Sequence, residues 1–125
     1  QRILDAGVRP LEHPDRHLAL RARISHEIVR AGAGADNICV RLVEIVPETQ
    51  TNTQRNKHYH PDVEECIYVL DGKGCTFADS GEYHISAGDT LVMPPNERHL
   101  TRNTGDEILR LLCFFPTGTI TILGE

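Results

Sequence analysis

The chain has 125 residues, 39% apolar and 25% charged, with 18 acidic residues against 13 basic ones and a formal charge of −5. That length suits one domain spanning residues 1–125, able to bury a core without disulfide staples. The scattered arginines and lysines form no basic stripe for nucleic acid, and no apolar run is long enough to span a bilayer, so neither partner is expected.

Residues 1–16 read as an irregular arm, because Pro10 and Pro14 interrupt any helix. From His17 the pattern alternates. Leu18, Leu20, Ala22 and Ile24 share one parity and Arg21, Arg23 and Ser25 the other, which predicts a strand whose arginines, with Arg30, are solvated. Residues 31–37, Ala-Gly-Ala-Gly-Ala-Asp-Asn, predict a turn, and the β-branched run 38–46 a second strand closed by Pro47. Together these form a hairpin. The polar residues 48–57 predict a loop. Strands follow at 66–70, 74–78, 82–86, 90–93, 98–103 and 108–115, and residues 119–123 could add a last one. They are separated by Asp71-Gly72, which has the composition of a two-residue hairpin turn, then Ser80-Gly81, Ala87-Gly88-Asp89, Pro94-Pro95-Asn96 and Thr104-Gly105-Asp106. Short strands with turns at near-regular spacing indicate an all-β sandwich or barrel.

Cys39, Cys66, Cys75 and Cys113 sit singly inside apolar runs, with no Cys-x-x-Cys. They read as buried thiols in a reducing compartment, and with no signal-peptide pattern in view the expected location is the cytoplasm.

The chemistry concentrates in the segment Lys57-His58-Tyr59-His60-Pro61-Asp62-Val63-Glu64-Glu65. On an extended strand residues i and i+2 face the same way, so His58 and His60 aim at one point. A carboxylate after a short turn reaches that point, and His99 lies at the end of another strand-like run. His58, His60, Glu65 and His99 are therefore the expected ligands of one divalent transition metal. Imidazole and carboxylate together suit iron, manganese, nickel, zinc or copper. An octahedral ion would keep two further positions for water, substrate or dioxygen.

A lone His-x-His is weak evidence in a chain with seven histidines. The longer arrangement is specific. His58-x-His60, four residues, Glu65, six residues, Gly72 resembles the first motif of the cupin superfamily. Gly88, five residues, Pro94-x-Asn96, two residues, His99, three residues, Asn103 resembles the second. The two motifs cover residues 58–72 and 88–103. The resemblance implies a double-stranded β-helix, the cupin or jelly-roll barrel, with the matching histidines and glutamate holding a metal inside it. Two positions depart from the pattern. Asn52 stands where the family has a glycine, and Asn96 replaces the glycine of the Pro-x-Gly corner. Asparagine tolerates left-handed backbone best among residues with a side chain, so the corner at Asn96 is expected to survive. Glu64 competes with Glu65, but only Glu65 keeps six residues to Gly72.

Other candidates carry plainer alternatives. Gln54 and Asn56 share parity with the histidines and could contact substrate or metal-bound water, or belong to a solvated loop. Arg41 and Arg110 are charges within apolar strands that could clamp a substrate carboxylate, or face outward. Tyr68 could supply a proton, or simply pack; with Arg110 it is the candidate catalytic side chain. His13, His17, His26 and His84 read as surface or hydrogen-bonded residues. The resemblance implies a metal-dependent enzyme acting on a small oxygenated molecule, with a lean toward a dioxygenase. Metal-assisted isomerisation, elimination or decarboxylation, and a module that binds a sugar or organic acid without turnover, are the alternatives. It also implies a homodimer.

Overall fold

Among the described residues of the computed structural model, 22–32 and 34–124, regular structure consists of nine strands and one 3-10 turn. The strands are β1 (Arg23–Ala31), β2 (Gly34–Ala35), β3 (Cys39–Ile45), β4 (Glu65–Asp71), β5 (Lys73–Ala78), β6 (Gly81–Ser86), β7 (Thr90–Met93), β8 (His99–Arg102) and β9 (Leu109–Phe115). The turn spans Glu48–Gln50. A six-stranded sheet runs β2-β1-β3-β9-β4-β7, and a three-stranded sheet runs β6-β5-β8. The expected all-β class is what forms. Residues 17–21 of the expected first strand, and the arm 1–16, lie outside the described residues. None of the described helical structure is long and apolar enough to cross a membrane.

The first hairpin forms as expected, with β1 antiparallel to β3. Asp71-Gly72 does not make one. β4 pairs with β7 and β9, whereas β5 pairs with β6 and β8, so Gly72 carries the chain from one sheet to the other. Its φ of 87° suits glycine, and a Cβ there would sit 3.0 Å from the Ile108 carbonyl oxygen. The Asp-Gly pair therefore marks positive φ without specifying which strands it joins. Asn96 adopts φ 68°, so the corner lacking its glycine keeps left-handed backbone.

The core lies between the sheets. Val43 and Ile45 of β3, Ile67 and Val69 of β4, and Leu109, Leu111, Cys113 and Phe115 of β9 meet Ile85 of β6. These are alternate positions on each strand, as a one-sided burial pattern requires. Each fully buried aliphatic side chain contributes about 1.5–3 kcal/mol. The register also fixes where β1 points. Arg23 lies opposite Ile45, Ser25 opposite Val43 and Glu27 opposite Arg41, so the inward face of β1 carries the polar residues. Ile24 points the other way, into a small outer cluster with Ala22 and Val46. Arg23, expected on a solvated face, is thus half-buried and turned toward the interior.

Cys39, Cys75 and Cys113 are buried free thiols as expected, while Cys66 is only partly covered.

Candidate metal centre

The four expected ligands come from three separate pieces of chain. Glu65 opens β4, His99 opens β8, and His58 and His60 lie on the extended segment before β4. That segment is not a regular strand. It is pinned by isolated bridges, His58 to His99 and Tyr59 to Leu123. The His58 amide donates to the His99 carbonyl at 3.0 Å and the His99 amide to the His58 carbonyl at 2.8 Å, so these two ligands are held against each other by their own backbone. The Asn96 amide donates to the His60 carbonyl at 3.1 Å, and its side-chain oxygen accepts from the Asp62 amide at 3.1 Å. The left-handed corner of the second motif therefore fixes the turn of the first.

One donor atom from each of His58, His60, Glu65 and His99 lies within 4.8 Å of the others. The ring centroids of His58 stand 5.0 Å from His60 and 4.4 Å from His99. Two rings are oriented by carbonyls. His60 Nδ1 meets the Thr121 carbonyl oxygen at 3.0 Å, and His99 Nδ1 meets the Glu97 carbonyl oxygen at 2.9 Å. A carbonyl only accepts, so each Nδ1 carries a proton, and each ring in its neutral form turns an Nε2 lone pair toward the centre. There Nε2 of His99 lies 2.9 Å and Nε2 of His60 3.4 Å from Glu65 Oε1. All three atoms are buried, and none has a hydrogen-bond partner. With both rings neutral, three acceptors converge in a buried site and repel one another unless a proton or a cation stands among them. The donor set and its geometry fit a divalent transition ion.

The electrostatics agree. Burial alone would raise the Glu65 carboxyl, but the facing imidazoles of His60 and His99 outweigh it and hold it down to about 2. Burial lowers His58 to about 3, assisted by the neighbouring His99 and His60. Burial opposes charge on His99 as well, yet Glu65 prevails and raises it, so Glu65 favours a proton on His99 Nε2 that a bound ion would displace. At neutral pH Glu65 is therefore ionised and His58 neutral, the forms that bind metal.

The cavity around these groups is lined besides by Val43, Ile45, Ile67, Leu111, Thr101, Cys113, Arg23 and Arg55. Its free volume is about 20 Å³, room for roughly one water-sized group. Cys113 is the one thiol here. Burial and the adjacent Glu65 push it well above its ordinary value, so it stays protonated.

Of the remaining candidates, the structure brings none into this cavity. Tyr68 is on the outer face of β4, 38% exposed. Arg110 is also outward, its Nε donating to Glu44 at 3.0 Å, and Glu44 is also reached by His26 Nε2 at 2.8 Å. That arginine neutralises a fully buried carboxylate. Arg41 is on the inward parity but is tied to Glu27 at 2.9 Å. Gln54 and Asn56 are exposed, and Gln54 lines a neighbouring polar groove of about 440 Å³. Arg23, Arg55, Thr101 and Cys113 were not legible as cavity residues. The parity of β1 relative to β3 would have exposed Arg23, but register is a property of two strands at once.

A family described as the cupin domain matches residues 41–115. The chain belongs to the cupin superfamily. This cupin is 33% identical over 72 residues to an uncharacterized protein of Methanocaldococcus jannaschii, a match covering 58% of this chain and 56% of that one. Its fold is similar to an oxalate decarboxylase of Lactobacillus farciminis, with TM-score 0.72 and 25% identity over 90% of this chain and 32% of the other. It is similar also to a sugar phosphate isomerase of Silicibacter pomeroyi, with TM-score 0.65 and 26% identity over 90% of this chain and 72% of that one. The chain thus spans just over half of the Methanocaldococcus protein and about a third of the decarboxylase. Its two sheets are those of the cupin double-stranded β-helix.

Proposed function

We propose that this cupin is a metal-dependent enzyme acting on a small oxygenated organic molecule, with oxidative, dioxygenase-type chemistry. The observation that carries the reading is the convergence of three buried side-chain atoms, His60 Nε2, His99 Nε2 and Glu65 Oε1, at one point beside His58. A divalent transition ion held by His58, His60, Glu65 and His99 supplies a Lewis acid and, where it is redox active, a path for electrons to dioxygen.

The residues around it do the rest. The Thr121 and Glu97 carbonyls hold the two imidazoles in the metal-binding tautomer. Val43, Ile45, Ile67 and Leu111 make an apolar wall that excludes water and leaves the charged ligands unscreened. In the described lining, the acid–base groups apart from the four ligands are a protonated thiol and two arginines. Chemistry centred on the ion suits that wall better than proton transfer by a side chain.

The second reading is metal-assisted isomerisation or decarboxylation, favoured by the similarity to a sugar phosphate isomerase and an oxalate decarboxylase. Protein loaded anaerobically with iron(II) and then exposed to a panel of keto acids, diketones and catechols separates them. Metal-dependent oxygen uptake with at least one compound is expected. Silence across the panel with iron fully loaded overturns the oxidative reading. Product formed without oxygen then establishes the second, and saturable binding without product a binding module.

A further inference from the structure

Strand β9 forms part of the floor under the metal ligands. Its buried residues Leu109, Leu111, Cys113 and Phe115 alternate with more exposed ones, and of these four side chains only Cys113 carries a polar hydrogen. The register fixes where that thiol sits. Ile67 of β4 lies opposite Cys113 and Cys66 opposite Phe114. Glu65, two residues before Ile67 on the same face, is therefore the diagonal neighbour of Cys113 across the strand pair. Both residues are buried and line the metal cavity, the thiol is free, and Glu65 is its side-chain hydrogen-bond partner.

Glu65 has few other ways to be held. Its Oε1 faces Nε2 of His60 and His99 and has no hydrogen-bond partner, which leaves the other oxygen to the thiol. Among the described residues no backbone amide or hydroxyl donates to this carboxylate. The two imidazoles are ligands themselves, so they do not fix it independently of the ion. Cys113 can, because it is no ligand of the four-residue group and is anchored in the sheet. A thiol suits the place. It packs as a small apolar group on an apolar floor and still offers one weak donor.

We infer that Cys113 is a positioning residue of the metal centre: its S–H holds the Glu65 carboxylate in the orientation that turns Oε1 toward the imidazoles. The inference rests on the metal reading above and adds to it the outer contact that fixes the acidic ligand, as the Thr121 and Glu97 carbonyls fix two of the rings.

The test needs no turnover. Cobalt(II) affinity is measured by competition with a chelator, following the visible absorption of the ion, for the wild type, Cys113→Ala and Cys113→Ser. Both variants lose the sulfur, and they differ from each other only by a hydroxyl donor. Cys113→Ala is expected to bind cobalt about 10-fold more weakly than the wild type, the low end for an outer partner because a thiol is a weak donor. Cys113→Ser should recover most of that loss. A merely structural role predicts the opposite order, because an unbonded hydroxyl on an apolar floor costs more than a methyl group. Equal affinity in wild type and Cys113→Ala overturns the inference, as does weaker binding by Cys113→Ser than by Cys113→Ala. A sulfur-to-cobalt charge-transfer band that vanishes in Cys113→Ala also overturns it, since the thiol would then be a ligand. The contact itself is read without metal. Hydrogen bonding lowers an S–H stretch, so the infrared band that disappears in Cys113→Ala is expected to move up in Glu65→Gln, whose neutral amide is the weaker acceptor. An unmoved band refutes the contact. If the wild type takes up no cobalt, the metal reading fails instead, and the infrared comparison still decides whether the thiol holds Glu65.

Discussion

Glu65→Ala is expected to lose nearly all bound metal, with affinity falling by more than about 100-fold, while Glu64→Ala keeps it. Even outer groups that merely orient a ligand change metal affinity by about 10- to 100-fold, so removal of a ligand should exceed that. The two glutamates are adjacent, but a strand sends neighbours to opposite faces. Glu65 is buried with its Oε1 2.9 Å from His99 Nε2, whereas Glu64 is exposed and borders an outer groove. Its loss also leaves three imidazoles with no anion to balance the ion. Elemental analysis of the two purified variants decides this, and metal retained by Glu65→Ala but lost by Glu64→Ala reverses the assignment.

Asn103→Ala is expected to be the most destabilising substitution outside the metal site, by about 3–5 kcal/mol. Asn103 is 1% exposed and ends the second motif. Its Nδ2 donates to the carbonyls of Ile45 at 2.8 Å and Glu107 at 2.7 Å, and its Oδ1 accepts from the Gly105 amide at 2.9 Å. One side chain therefore joins the end of β3 to the turn between β8 and β9, where the chain passes between sheets. Alanine leaves the buried Ile45 carbonyl and the part-buried Glu107 carbonyl and Gly105 amide short of a partner, at about 1–3 kcal/mol each before relaxation. Thermal unfolding should show a fall in Tm of the order of 10 °C or more. A shift under about 2 °C would mean that water replaces all three bonds.

The strands were legible because their apolar residues alternate and their turns carry Gly, Pro and Asn, which are local signals. The metal ligands were legible for a different reason: their spacing, fixed by the turns between them, places four donors from three separate pieces of chain on one interior. What stayed hidden depends on pairing. Asp71-Gly72 reads as a hairpin because positive φ is local, yet the strands it joins belong to different sheets. Arg23 reads as solvated because it alternates with Ile24, and only its register against Ile45 turns it inward. Tyr68 and Arg110 share strands with core residues, and both fall on the parity opposite to Ile67 and Leu111. Arg110 looked available for a substrate because its partner, Glu44, lies 66 residues away.

X-ray absorption at the edge of the bound metal tests the central claim most directly, because it reports the ligands of the ion itself. Three imidazoles and at least one oxygen at about 2.0–2.2 Å are predicted in the wild type, with one imidazole fewer in His99→Ala. A first shell of oxygen atoms alone, unchanged by that substitution, would contradict the account.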